Sequence, residues 1–272
     1  MIMRIKNKLQ RRLRTARPWH LDICEYYKVT PEQVITLGTR STGRTPDLPS
    51  SSTTHAVTGK TFEDIWESTE RDNPAAIDSF WKDMGAWATF RQVYYHRESN
   101  FSFIEGSLKK GSRICEYGGG VGPVSNWIIE NVRNRSLRLT LTDVPCEHLT
   151  FGQWRAQRLI KDMNAPIQFD ALEILPNFLP LQEEYDVITI LEVYEHLRNP
   201  MEATTHLEEH LAPGGLLWEN YIKHDHPHAS DLAIAQYERP KVFEFMRSRF
   251  TLISGGDPDS PDGGGTRCWR KL

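Results

Sequence analysis

Residues 114–122 read ICEYGGGVG: an apolar run ending in an acidic residue, then glycines at alternate positions. The turn signal Lys109-Lys110-Gly111 precedes the run, and VSNWIIENV (residues 124–132) follows with helix-spaced apolar residues. The glycines therefore stand between a strand and a helix. There Gly118, Gly120 and Gly122 can take backbone angles and close approaches that a Cβ forbids, so that main-chain groups touch a ligand directly. The dinucleotide pattern G-x-G-x-x-G requires glycine at 123, where Pro123 stands, which disfavours a pyrophosphate cradle and with it a nicotinamide dehydrogenase. A tight strand-to-helix turn also uses such glycines, so the weight falls on the segments beyond.

Those segments repeat one pattern. LRLTLTDV (residues 137–144) reads as a second buried strand, with Asp143 about 20 residues past the loop, the placement expected of an acceptor for both hydroxyls of a ribose. IQFDAL (residues 167–172) reads as a third strand with Asp170 at its end. YDVITILEV (residues 185–193) is a fourth, running out near Glu192, Glu195 and His196, and GLLWENYI (residues 215–222) a fifth. Helical patterns over 146–163 and 199–212 separate them, the second closed by Pro213-Gly214-Gly215. Alternating strands and helices predict an α/β, doubly wound, largely parallel sheet whose ligands lie at the carboxyl ends of its strands.

In ICEYGGGVG, LTLTDVP, IQFDALEILP, YDVITILEVYEHLRNP and HLEEHLAPGGLLWENY, taken in this order, the chain resembles the class I S-adenosylmethionine-dependent methyltransferases over residues 109–272. The resemblance implies a Rossmann-like sheet, mostly parallel with one antiparallel strand near the C-terminus, and S-adenosylmethionine as cofactor. It assigns Glu116 and the backbone at Gly118 and Gly120 to the methionine end of that cofactor, Asp143 to the ribose, and Asp170 with Ala171 to the adenine. Glu192 is placed beside the methionine moiety and His196 toward the methyl-transfer side. Two positions depart from the family pattern: Glu116 replaces the commoner aspartate, and Gly119 stands where a larger residue is frequent. FTLIS (residues 250–254) and TRCWRKL (residues 266–272) are candidates for the closing antiparallel pair, joined by a Gly/Pro/Asp-rich loop.

The sequence divides into a basic arm and linker (1–58), a helical lid (59–108) and a cofactor-binding domain (109–272). Residues 1–17 carry seven Lys and Arg and no acidic residue, with Ile2, Ile5, Leu9 and Leu13 on one helical stripe. They read either as an amphipathic segment for an anionic membrane surface or as a solvated terminal helix; a transit peptide is disfavoured by the scarcity of serine. Residues 40–60 are polar and rich in Ser, Thr, Pro and Gly, a linker composition. Phe62 to Phe103 is helical in pattern and dense in aromatics, most of them expected in a core, with Trp87, Arg91, Tyr94 and Tyr95 as candidates to close the site.

Net charge of −3 over 272 residues gives no argument for nucleic acid as a partner. Four scattered cysteines without a C-x-x-C pair read as reduced thiols, and no apolar run reaches the length of a membrane span, so the expected location is the cytoplasm, with peripheral membrane contact through residues 1–17. For catalysis the candidates are His196 and His224, either of which could take a proton from an acceptor hydroxyl. His224, Asp225, His226 and His228 could alternatively hold a divalent metal, but adjacent histidines need not converge on one point, and the site is read without one. The expected activity is O-methylation of a polar small molecule or glycan. N-methylation of a small molecule and a non-catalytic cofactor-binding scaffold are the alternatives.

Overall fold

The computed structural model describes residues 19–33, separate positions between 65 and 96, and residues 99–132, 135–174, 181–222, 232–260 and 265–272. The basic stripe of residues 1–17, the linker 40–60, Trp87, Arg91 and the segment holding His224, Asp225, His226 and His228 lie outside the described residues.

Among the described residues, seven strands make one sheet: β1 (Arg113–Tyr117), β2 (Leu137–Asp143), β3 (Ile167–Glu173), β4 (Tyr185–Ile190), β5 (Leu211–Glu219), β6 (Phe250–Ser254) and β7 (Arg267–Lys271). Their order is β3-β2-β1-β4-β5-β7-β6. β1 to β5 pair in parallel, whereas β7 runs antiparallel to both β5 and β6. This is the doubly wound Rossmann-like sheet expected, with its single reversed strand near the C-terminus. The chain begins in the middle of the sheet, builds outward through β2 and β3, and returns to the other side of β1 with β4. Connections therefore diverge at the carboxyl ends of β1 and β4, leaving a crevice at that switch point.

Helices cover both faces. α2 (Pro123–Asn131) and α3 (Glu147–Met163) close one face over Ile114, Leu137, Leu139, Ile167 and Val187. α4 (Pro200–Glu209) and α5 (Ala233–Arg249) close the other over Cys115, Tyr117, Ile188, Ile190 and Leu217. Alternation along each strand sorts the residues: Ile114 faces α2, Cys115 faces away, and Glu116 again faces α2.

The structure moves several boundaries. β5 starts at Leu211, ahead of Pro213-Gly214-Gly215, because Leu211 pairs with Tyr185 before a register shift brings Leu216 beside Val187. The three residues read as a helix stop form a β-irregularity instead, and α4 ends at Glu209. α5 has no counterpart in the sequence reading. Pro240 in its interior is a breaker signal, yet Val242, Phe243 and Met246 are fully buried and tertiary packing holds the helix together.

α1 (Trp19–Tyr27) lies within the stretch assigned to the arm and linker, and it is docked on α3. Buried Asp22 accepts from Arg155 at 2.9 Å, Glu25 pairs with Arg158 at 2.5 Å, and Tyr26 meets Phe151 edge-on at 5.2 Å. Ile23, Phe90, Val93 and Tyr94 pack with Phe151 and with Val121 of the glycine loop. Tyr94 is therefore a packing residue. Tyr95, its neighbour, is 65% exposed. No described helix is long and apolar enough to cross a membrane.

Candidate functional site

The glycine loop leaves β1 at Tyr117 and enters α2 at Pro123. Pro123 suits a first helical position, where its missing N–H would have found no partner within the helix. The next two amides are claimed by one side chain: Val124 N–H donates to Glu116 Oε1 at 2.8 Å and Ser125 N–H to Oε2 at 2.7 Å. Glu116 reaches them because strand alternation aims it at α2. Burial pushes its carboxyl up to about 7, against the opposing pull of the two amides. With both oxygens accepting from the helix and the residue 3% exposed, Glu116 shapes the loop, and its oxygens are spent on the backbone.

One of the two departures from the family pattern has a steric cause. A Cβ on Gly119 would stand 2.5 Å from Glu116 Cγ, 2.7 Å from Leu141 Cδ1 and 2.8 Å from Glu116 Cδ, so the space beside the loop is filled from two strands and position 119 requires glycine. At Gly118 the left-handed backbone, φ 67°, and a virtual Cβ 2.7 Å from Val193 Cγ2 also require glycine, and that contact brings the loops after β1 and β4 together.

Asp143 ends β2 on the same face as Glu116. Its Oδ2 accepts from Gly120 N–H at 2.6 Å and its Oδ1 from Val144 N–H at 2.7 Å. Burial raises its carboxyl to about 6, while the two amides pull the other way. Unlike Glu116, Asp143 keeps part of its surface, and a Cβ on Gly120 would meet nothing closer than Asp143 Oδ2 at 3.7 Å. The loop is open on this side, between two left-handed glycines and a carboxylate.

Asp170 is not at the end of its strand. β3 continues through Ala171 and Leu172 to Glu173, pairing with Leu141, Thr142 and Asp143. Register and alternation place Glu173 level with Asp143 on one face, and Asp170, opposite Thr140, on the other. Phe169 packs with the cluster under α2 and α3, whereas Leu172 packs with the cluster under α4 and α5, as this parity requires. The stretch read from the sequence, residues 167–172, stops one residue short of the observed end, and Asp170 stands three residues inside it. Ala171 lies within the ladder, and the backbone at the strand's end is that of Ile174, whose N–H donates to Asp143 O at 2.8 Å.

On the far side of the crevice, Glu192 adopts φ 56°, a left-handed conformation uncommon for a non-glycine residue. Asn220, just past β5, holds it: Glu192 N–H donates to Asn220 Oδ1 at 2.7 Å, and Asn220 Nδ2 donates to Glu192 Oε1. Glu192 remains exposed. Val193, Tyr194 and Glu195 are buried behind it, and His196 ends the short 3-10 turn Tyr194–His196. The His196 side chain is 33% exposed, with Nε2 3.9 Å from Glu195 Oε1. Tyr95 also reaches this side; burial and the carboxylates of Glu192 and Glu195 hold its hydroxyl above the usual range. Asn220 was not singled out from the sequence, where the fifth strand was read through residue 222; β5 ends at Glu219, and this puts Asn220 just past the strand.

Among the described residues, one grouping has donor atoms near enough to share a metal: His206, Glu209 and His210, within 4.8 Å of one another. It sits where α4 leads into β5, at the opposite edge of the sheet from the crevice. His206 Nε2 already accepts from Leu181 N–H at 3.0 Å, which leaves the proton on Nδ1 and no free lone pair on that ring.

The family model Methyltransf_23, described as a methyltransferase domain, matches residues 87–252, well over half of the chain. No curated protein sequence matches it. Among solved structures, the chain is similar to the N-methyltransferase NodS from Bradyrhizobium japonicum WM9, at 18% identity and a TM-score of 0.43, covering 68% of this chain and 97% of that one. It is also similar to an O-methyltransferase family protein from Burkholderia thailandensis, at 12% identity and a TM-score of 0.49, covering 75% and 64%. A third is the glycopeptide N-methyltransferase MtfA complexed with sinefungin, at 14% identity and a TM-score of 0.43, covering 65% and 85%.

Proposed function

Since the chain belongs to this methyltransferase-domain family and is an S-adenosylmethionine-dependent enzyme, we propose that it O-methylates a polar small molecule or glycan, with His196 as the base. The observation that carries the reading is the partly exposed ring of His196, placed just after β4 on the side of the crevice away from Asp143 and Glu173. The cofactor, when bound, supplies a methyl group on a positively charged sulfur. Asp143 and Glu173 would hold its nucleoside, the carboxylates accepting from hydroxyl and amino groups. Gly118 and Gly120 let the loop backbone approach, and Glu192 faces the positive end. The donor set fits: these groups are acceptors, and the ligand's recognition atoms are donors or cationic.

Methyl transfer is an in-line displacement, so the chain's first task is to bring the acceptor oxygen to attack distance. Its second is to remove the hydroxyl proton. His196 takes that proton on a ring nitrogen as the oxygen–carbon bond forms and the carbon–sulfur bond breaks, and Glu195 beside it favours the resulting imidazolium. Tyr95, close to the carboxylates of Glu192 and Glu195, would limit access of water on that side.

One observation favours N-methylation as a second reading. Glu192, Glu195 and the exposed Tyr95 give this side carboxylate and aromatic character, which suits an amine, and an amine that reaches the site neutral needs no base.

Incubating full-length protein with a polar metabolite and glycan pool and isotopically labelled S-adenosylmethionine, followed by mass spectrometry, identifies the acceptor and the atom modified. With that acceptor, His196→Ala is expected to lower kcat by about 100-fold with cofactor affinity kept. A labelled amine product, or full turnover in His196→Ala, would overturn the O-methylation reading.

A further inference from the structure

Behind the crevice lies an assembly that methyl transfer does not explain. Glu219, the last residue of β5, and Arg267, the first of β7, form an ion pair whose side chains are both 0% exposed. Arg267 Nε donates to Glu219 Oε1 at 2.6 Å and Nη2 donates to Oε2 at 3.0 Å, while Trp269 Nε1 adds a third donor at 3.0 Å. Burying such a pair is a poor route to stability, because apolar residues of similar volume do as well or better. What it supplies is direction.

The direction falls on Tyr221. Its N–H donates to Glu219 Oε2 at 2.6 Å, and its carbonyl accepts from Arg267 Nη2 at 3.0 Å and from Arg239 Nε at 3.2 Å. Arg239 in turn donates to Pro258 O at 3.0 Å, and both guanidiniums lie over the Phe243 ring, at 4.6 and 5.0 Å. The Tyr221 hydroxyl donates to Ala235 O, and its ring stacks on Tyr194 at 4.7 Å. Asn220 thus stands between two residues whose backbones are held, one in the sheet and one by charged donors. Its amide is the group that grips Glu192 at both its N–H and its carboxylate. A non-glycine residue in the left-handed region persists only where its surroundings over-determine it, and here they do so at the switch point of the sheet.

We propose that the buried Glu219–Arg267 pair is a positioning device for the crevice: by clamping Tyr221 it fixes Asn220, and Asn220 presents the Glu192 carboxylate to the ammonium of the cofactor's amino acid arm. This rests on the cofactor reading given above. The chain of contacts is short and directional, and it ends on an exposed carboxylate whose backbone is held strained. A carboxylate held in this way binds a cation without first losing rotamer freedom.

The test compares two ligands that differ in that ammonium. Full-length protein is titrated calorimetrically with S-adenosylhomocysteine and with methylthioadenosine, which carries the same nucleoside thioether without the amino acid. Asn220→Ala is expected to weaken S-adenosylhomocysteine by about tenfold, the loss of one well-placed charge-assisted contact, and methylthioadenosine by less than about twofold. Glu192→Gln should show the same pattern, and the double variant should be no worse than Glu192→Gln alone. Arg267→Lys keeps the charge but not the fork, and should reproduce the selective loss in weaker form; Trp269→Phe, which removes one donor to Glu219, serves if the lysine variant does not fold. Equal weakening of both ligands by Asn220→Ala, or no change in either, would overturn the proposal. So would selective loss in Asn220→Ala with none in the Arg267 or Trp269 variant, since the buried pair would then not be the device. Failure of the wild-type protein to bind either ligand would overturn the cofactor reading itself.

Discussion

Acidic residues stand near strand ends on both sides of the crevice, and Glu192, just past β4, is used oppositely to Glu116 and Asp143. On the β1–β2 side, Glu116 and Asp143 turn toward the main chain and accept four backbone amides between them. On the β4–β5 side, Glu192 is itself held by a side chain and keeps its carboxylate exposed. An acidic residue at the end of a buried strand is therefore not by that fact a ligand contact. Where a helix begins next to it, unpaired N–H groups compete for the carboxylate and win, because leaving them buried and unsatisfied costs about 1–3 kcal/mol each. Where an irregular turn follows instead, as after β4, no helix N-terminus competes and the carboxylate can face outward.

The largest expected effect breaks the inward side. Glu116→Ala strips the acceptors from Val124 and Ser125 and is expected to destabilise the protein by about 3 kcal/mol or more, seen as a lower urea midpoint, and to weaken cofactor binding as the loop loosens. Gly119→Ala should cost about 1–3 kcal/mol through its clash with Glu116 and Leu141, seen as a lower urea midpoint. A midpoint equal to that of the wild type would mean that the loop does not approach these two side chains so closely.

Asp143 bridges the two uses, since it holds Gly120 yet keeps part of its surface. Asp143→Ala is expected to weaken S-adenosylmethionine by about 1.5–3 kcal/mol with the fold retained, measured by titration calorimetry. Its pH behaviour sharpens the point. Because burial raises its folded value to about 6 from 3.8, its contribution to the stability of the ligand-free protein is fully present below about 3.8 and is lost as pH rises through about 6. Ribose hydroxyls donate to the ionised form, so cofactor affinity should move the other way, weakening as pH falls through about 6. Asp143→Asn should remove both trends; affinity that stays flat between pH 5 and 7 in the wild-type protein would count against Asp143 as the ribose acceptor.

A smaller effect separates Glu173 from Asp170. Glu173→Ala should reduce cofactor affinity by about 1 kcal/mol, while Asp170→Ala, exposed on the opposite face, should stay within about 0.5 kcal/mol. The reverse ranking would mean that the end of β3 is wrongly registered. Smallest is the arm: deleting residues 1–17 is expected to leave methyl transfer near wild type and to reduce sedimentation with anionic vesicles at low salt, the binding fading as salt is raised. Full-length protein that ignores such vesicles at low salt would remove any membrane role for the arm.

How much of this was legible beforehand follows from range. The glycine loop, Asp143 at the end of β2 and the alternation of strands with helices are local patterns, written in apolar periodicity and in residues that only turns tolerate, and they predicted the sheet and its ligand edge. The reversed strand near the C-terminus came from the resemblance to the class I methyltransferases, not from these patterns. Asp170 was set at the end of β3 because it interrupts an apolar run, a local signal that yields once Leu141 to Asp143 supply partners for Ala171, Leu172 and Glu173. α5 was missed for the converse reason: Pro240 argues locally against a helix, and only burial of Val242, Phe243 and Met246 against the sheet overrides it.

The sequence by itself determined which strand ends carry carboxylates, and that one of them opens a glycine loop between strand and helix. Tertiary structure decided what each carboxylate does. Side-chain parity relative to the sheet turned Glu116 toward the helix amides, register brought Glu173 rather than Asp170 level with Asp143, and a contact between residues 48 apart in the chain, Glu219 and Arg267, set the backbone that holds Asn220 against Glu192. Periodicity is local and can be read along the chain, whereas the partner that satisfies a buried polar group is chosen by proximity in space, and that is known only when the chain has folded.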